Sequence, residues 1–206
     1  MGRKSISHIR KPEILRHTYK VVEEEGFKGM TIGKIAKRMG VNSGLLIHYF
    51  KSKEGLIMEM VDFLYETSMN NYLKELEALT SSKERMETLL GILFDASGTW
   101  PQRDAVFWSC YAMGFRDENI RERIRDMMLK FIEFGIEEIA GWEETGLASV
   151  ENKKRASAKI FALSEGFGIV KNSLDDPELI KEVADFFKNT TLKILNCKSA
   201  LNQEQP

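Results

Sequence analysis

"TIGKIAKRMGVNSGLLIHYFKSKEGL", Thr31 to Leu56, decides how the whole chain is read. Thr31 stands just before Ile32, Ile35, Ala36 and Met39, which recur at helical spacing, and a threonine hydroxyl there can accept from an otherwise unsatisfied N–H of the first turn. Gly40 follows where the chain must turn through a positive φ that a side chain resists. Asn42 then caps a second short helix, whose centre Leu-Leu-Ile-His-Tyr-Phe reaches no full charge until Lys51. Two short helices joined by so tight a turn have the proportions of a helix-turn-helix. Ala36 is small where the helices must cross, and Ile35, Met39, Val41, Leu46 and Phe50 can form the core that locks them together.

That core leaves one face of the second helix unused. Ser43, Gly44, Leu45, His48 and Tyr49 lie there, with Lys51 and Lys53 beyond its end. Short side chains at a helix start let the backbone approach a polyanion, where unsatisfied N–H groups and the positive end of the helix dipole favour phosphate. His48 and Tyr49 can donate to phosphates or bases, Leu45 can touch a thymine methyl, and Lys53 can neutralise a phosphate. Thr31 can act similarly through its hydroxyl. Anchoring against the first helix is an equally good use of Tyr49.

Charge points the same way. The chain of 206 residues has a net charge of −1, but residues 1–53 hold twelve Lys/Arg against four Asp/Glu, whereas the rest holds eighteen against twenty-seven. A first quarter at +8 joined to a remainder at −9 is the asymmetry expected when one end meets a polyanion. The overall composition, 43% apolar and 30% charged, is that of a chain able to bury a core without staples. Cys110 and Cys197 show no CxxC or Cys/His spacing, so no disulfide framework, metal or cofactor is expected, and a reducing cytoplasm suits them. No segment has the length of a membrane span or the apolar stretch of a signal peptide. Catalysis is not expected either. There is no H-E-x-x-H, no glycine-rich phosphate loop after a strand and no nucleophile arrangement, and His8, His17 and His48 all lie in the basic first quarter.

Helical signals run nearly end to end, so the expected fold is all-α with about nine helices. Pro12 is expected in the first turn of helix one, with Gly26 as its stop. Ser52 is expected to cap a long fourth helix reaching towards Leu79, and "SSKE" at 81–84 reads as a capping box of Ser81 with Glu84. A helix should follow Pro101, and another should carry Ile120 to Ile136 and end before "GWEETG". Two long helices close the chain, the last capped by Asp176 with Pro177 in its first turn. Glu23, Glu24 and Glu25 read as the solvent face of helix one.

The stretch Thr31–Leu56, preceded by "ILRHTYKVVEEEGFKG", resembles the signature of the tetracycline-repressor (TetR) family of bacterial regulators. Capping threonine, Ile-Ala, Gly-Val, a short polar pair with glycine, His-Tyr-Phe and Lys-x-Lys-Glu occur in one register. The resemblance implies an all-helical homodimer with an N-terminal helix-turn-helix domain, expected at 1–53, and a ligand-binding and dimerisation domain at 54–206. A small molecule bound in the second domain would release double-stranded operator DNA. It also implies that Thr31, Asn42, Ser43, Gly44, Leu45, His48, Tyr49 and Lys53 contact DNA. Ile47 departs from the pattern, standing where many members have tyrosine, so a hydroxyl contact is missing and packing or apolar contact replaces it. "SGLLIHYF" and "ALSEGFGIV", Ala162–Val170, are further similar to the choline- and betaine-responsive branch.

Beyond residue 53 the chain is rich in aromatic and methionine side chains. Trp100, Phe107, Trp108 and Tyr111 could face Met127, Met128 and Phe131 across an effector cavity for an apolar or cationic molecule, and Glu165 interrupts an apolar helix where it could meet a cation. The same residues would also fill a plain core, and Glu165 would also suit a surface. The last two helices are apolar on more than one stripe, and a helix apolar on two sides must bury both. A four-helix dimer interface through Phe161, Gly168, Val183, Phe187, Thr191 and Ile194 is therefore expected.

Overall fold

The computed structural model describes residues 7–98 and 105–197, which form nine α-helices and, among the described residues, no strand. They are α1 (Ser7–Gly29), α2 (Ile32–Met39), α3 (Ser43–Phe50), α4 (Lys53–Glu77), α5 (Ser82–Leu93), α6 (Ala105–Gly114), α7 (Glu118–Glu144), α8 (Lys153–Ser173) and α9 (Pro177–Ile194). The fold is all-α. Trp100 lies outside the described residues.

Local chemistry starts most of these helices. The side chains of Thr31, Asn42, Ser81 and Asp176 accept from Lys34, Gly44, Glu84 and Leu179 N–H groups, and Ser52 Oγ accepts from Gly55 N–H at 3.1 Å. Asn152 caps α8 in the same way, accepting from Arg155. Gly40 ends α2 at φ +67°, ψ +29°, the left-handed conformation its place in the sequence requires.

Three helix limits differ from expectation. Helix one begins at Ser7, so Pro12 sits within α1 rather than in its first turn, and the helix is interrupted at Gly26 (φ +67°, ψ +171°) before a last turn to Gly29. α7 continues through Gly141 to Glu144, because Ile139 and Trp142 bury their side chains and the helix is held by packing where the glycine weakens it. α4 ends at Glu77, slightly short of Leu79.

The described residues fall into two compact units, 7–68 with 105–127 and 69–98 with 128–197, and α4 and α7 each contribute to both. In the first unit α1 packs on α2, α3 and α6, and α2 on α3. Ile14, Leu15, Ile35, Leu46, Phe50, Leu56 and Phe107 are buried there, while Met39 and Val41, expected in the same core, are half-buried. In the second unit α8 packs on α9 over a core that includes Leu76, Leu90, Phe94, Ile139, Trp142, Phe167 and Ala184. Phe94, Phe167 and Phe187 meet with ring centroids 5.9 to 6.4 Å apart, within the range of favourable aromatic pairs. Among the described residues no helix is long and apolar enough to cross a membrane.

Candidate nucleic-acid interface

α3 is eight residues long, and its two faces differ sharply. Leu46 and Phe50 are buried, whereas Gly44, Ile47, His48 and Lys51 are exposed and fall at spacings of three and four, forming one stripe. Ser43, Leu45 and Tyr49 flank the stripe and are half-buried. His48 and Tyr49 rings meet edge to face, 5.2 Å apart, which orients both at the margin of the stripe.

The start of α3 is built around Asn42. Its Oδ1 accepts the Gly44 N–H at 2.7 Å, and a Cβ on Gly44 would lie 3.2 Å from that same oxygen. Glycine therefore leaves the cap undisturbed and the first turn open on its outer side. Thr31 is exposed at the start of α2, its hydroxyl occupied by Lys34 N–H at 3.2 Å.

At the other end, Lys51 closes α3 at φ +66°, a conformation that costs a residue with a side chain roughly 1–2 kcal/mol. Its Nζ donates to the His48 carbonyl at 3.3 Å. Gly55 answers the same junction from α4. A Cβ there would collide with the Phe50 carbonyl oxygen, so only glycine lets α4 start this close to the end of α3. The sequence reading missed Gly55, since its requirement is a tertiary approach; its position one turn after the Ser52 cap was the available signal. Lys53 is half-buried and its Nζ donates to the Phe27 carbonyl at 3.1 Å, which fixes the ammonium near the end of α1.

The three adjacent glutamates of α1 are exposed, as expected, and each also holds a basic side chain. Glu23 pairs with Lys20 at 2.7 Å and Glu25 with Lys34. Glu24 receives both terminal nitrogens of Arg38 at 2.7 and 2.9 Å. The Arg38 hydrogen bond holds the Glu24 carboxyl below its ordinary range, and Glu24 raises the Arg38 guanidinium in return. The Glu25–Lys34 and Glu24–Arg38 pairs tie α1 to α2 and remove Lys34 and Arg38 from the basic groups facing a polyanion without a carboxylate partner. Lys28, Lys37 and Lys51 have no carboxylate partner among the described residues.

The residues expected around an effector are distributed over both units. In the first, Phe107 and Met127 are buried, and Phe107, Trp108, Tyr111 and Phe115 form a chain of ring contacts along α6 at 5.2 to 6.4 Å. In the second, Phe131 stacks on Phe161 at 5.9 Å and tilts against Tyr72 at 6.4 Å. Glu165 is half-buried on α8 with its Oε1 shielded from solvent. A cavity of about 590 Å³ in the second unit is lined by Met86, Leu90, Leu147 and Leu192 with Lys83 and Asp185, a different set of residues. Among the described residues no group of three potential metal ligands occurs.

The residues expected at a dimer face differ in exposure. Thr191 and Gly168 are buried within the chain, and Val183, Phe187 and Ile194 pack against the core of their own unit. The exposed apolar side chains of the same two helices are Ile169, Leu179 and Phe186, the last 62% exposed.

Residues 14–60 match the family described as bacterial regulatory proteins, tetR family, and residues 81–197 match the tetracyclin repressor-like C-terminal domain. The HTH-type transcriptional regulator BetI of Escherichia coli (strain K12) is 30% identical over 97 residues, 46% of this chain and 50% of BetI. The chain thus spans about half the length of the curated relatives it matches. A transcriptional regulator of the TetR family from Cytophaga hutchinsonii superposes with a TM-score of 0.78 at 14% identity, covering 96% of this chain and all of that one. A transcriptional regulator from Saccharomonospora viridis in complex with choline superposes with a TM-score of 0.70 at 16% identity, covering 92% and 96%. At such identities these two structures bear on the fold alone.

Proposed function

The chain belongs to the TetR family of bacterial regulators, and from that premise we propose that it is a ligand-responsive, DNA-binding transcriptional regulator, a repressor whose homodimer holds a palindromic operator until a small molecule releases it. The observation that carries the proposal is the two-sidedness of α3. One face is locked into the first unit by Leu46 and Phe50, and the other offers Gly44, Ile47, His48 and Lys51 with no covering element among the described residues. Residues 1–53 form the DNA-binding part and 54–206 the regulatory part in this reading, and the work is done in the cytoplasm, where the DNA is.

Each residue then has a defined task. The N-terminal amides of α3 at Ser43 and Gly44 approach a phosphate or base edge, aided by the helix dipole. Thr31, Asn42, His48 and Tyr49 donate to phosphates or bases, Leu45 makes apolar contact, and Lys53 supplies charge from the start of α4. Two copies would place their α3 helices in successive major grooves about 34 Å apart. The second copy would cover Ile169, Leu179 and Phe186, the apolar groups α8 and α9 leave in water.

An effector of cationic or apolar character is in keeping with the Phe131–Phe161 stack and with the shielded carboxylate oxygen of Glu165. The choline in the Saccharomonospora viridis structure makes a quaternary ammonium the first class to test. α4 is one helix from Lys53 to Glu77 and provides the covalent route by which effector binding would alter the spacing of the two α3 helices. A differential affinity of about 1–3 kcal/mol changes operator affinity some five- to 150-fold, enough for a switch. The test is selection of duplexes from a random pool by the full-length protein, followed by anisotropy titration of the winners with and without choline, betaine and apolar metabolites. Enrichment of an inverted repeat whose binding weakens with one of these supports the proposal. Failure to enrich any sequence defeats it.

A further inference from the structure

Resting on the DNA-binding reading of α3, we propose that Ile47 determines part of the operator sequence by packing against the 5-methyl group of a thymine in the major groove. Sequence alone left Ile47 two uses, packing within the fold or apolar contact outside it. The structure leaves the second open: Ile47 is 49% exposed, while its neighbour Leu46 is fully buried in the core. It stands in the middle of the exposed stripe, one turn after Ser43 and Gly44 and one turn before Lys51. Gly44 has no side chain and that of Ser43 is short, so on this part of the helix the isoleucine is the bulk that meets an approaching surface first. Its β-branched side chain is stiff at χ1, so little freedom is lost when it is covered.

The chemistry of the partner narrows the occupant. The basic first quarter selects a polyanion, and the edges of base pairs in the major groove present donors and acceptors everywhere except at one apolar group, the thymine methyl. An isoleucine pressed against a purine N7 or a cytosine amino group would leave that polar group without a partner, whereas against the methyl it covers apolar surface on both sides. Leu45 is half-buried and lies off the centre of the stripe, so any base it meets is a different one.

The experiment uses the full-length protein and the duplex it selects. Each thymine of the half-site is replaced in turn by deoxyuridine, which lacks only the methyl group, symmetrically in both halves, and binding is followed by anisotropy at fixed salt. At one position the wild type loses about fourfold per half-site, the factor that burying one methyl group supplies. Ile47→Ala binds the thymine and uracil duplexes equally at that position, Ile47→Val retains most of the difference, and Leu45→Ala leaves it in place. Ile47 is exposed, so the thermal midpoint of Ile47→Ala stays with the wild type and certifies folding. The assignment is overturned if the selected half-site has no thymine, if no uracil substitution weakens the wild type, or if the difference persists in Ile47→Ala. Failure to select any duplex would instead remove the DNA-binding reading, and this inference with it.

Discussion

Gly55→Ala should damage the interface without touching any residue proposed to meet DNA. A Cβ at Gly55 would press on the Phe50 carbonyl oxygen and lie 3.4 Å from its carbon, and both atoms are backbone. No side chain can swing aside. The two backbones must part by several tenths of an ångström, at a junction already committed by the positive φ of Lys51 and by the 2.7 Å bond from Ser52 N–H to Phe50 C=O. Overpacking of this kind costs about 1–3 kcal/mol. For a chain of this size that is a fall in melting temperature of roughly 2 to 12 °C. Below the transition the last turn of α3 is displaced from α4. Losing one hydrogen bond to a charged phosphate per subunit, about 1.5 kcal/mol each, weakens the dimer on the order of a hundredfold. Differential scanning calorimetry and anisotropy on a selected duplex read the two effects. Gly91→Ala is the control: nothing lies within 4 Å of its Cβ, and the helix should gain about 0.5–1 kcal/mol. A Gly55→Ala protein that melts and binds as the wild type does would refute the reasoning.

Four other outcomes follow from particular contacts. Arg85→Ala strands Glu138, which is 7% exposed, by removing bonds of 2.8 and 2.6 Å, and frees the Leu76 carbonyl at the end of α4; chemical denaturation should show a loss of roughly 2–4 kcal/mol, and a loss under about 1 would contradict the burial argument. Phe186→Asp puts a charge at the centre of the exposed α9 surface; sedimentation equilibrium should find monomer where the wild type is dimer, and an intact dimer would move the interface elsewhere. Lys53→Ala should lower the salt dependence of operator binding by about 0.9 per subunit, and an unchanged slope would confine Lys53 to its bond with the Phe27 carbonyl. Because the Glu24 pKa is lowered, the stabilisation from its Arg38 pair is present above the ordinary carboxylate value and disappears as pH falls through the lowered one; Glu24→Gln should therefore destabilise at neutral pH and converge with the wild type in strong acid, and a constant gap would exclude the linkage.

What could be read from the chain was local chemistry. Thr31, Asn42, Ser81 and Asp176 cap their helices because a short side-chain oxygen needs only its own next turn. Leu46 and Phe50 were legible as the inner face of α3, since a helix this short with one apolar side has few ways to sit. The losses are tertiary. Pro12 was misplaced because the turn before it, from Ser7, lacks the apolar repeat that marks a helix in sequence. On α9 both stripes were visible, but which one faces inward depends on how α8 meets it; Thr191 is fully buried and Phe186 faces water, a choice periodicity cannot make. Glu23, Glu24 and Glu25 were placed on the right face, yet the reach of Glu24 to Arg38 joins helices whose crossing had no local signal. The sequence-derived effector residues are the least constrained by local chemistry, since aromatic side chains serve a core and a cavity equally well.

Affinity cleavage from α3 tests the central claim most directly. Both native cysteines are buried, so a His48→Cys protein can be labelled at residue 48 with an iron chelate and bound to its selected duplex at saturating concentration. If α3 enters the major groove from each subunit, strand breaks cluster in two patches on one face of the duplex, about one helical turn apart and related by the operator's dyad. Breaks spread evenly along the DNA, or none above the unlabelled protein, would contradict the account.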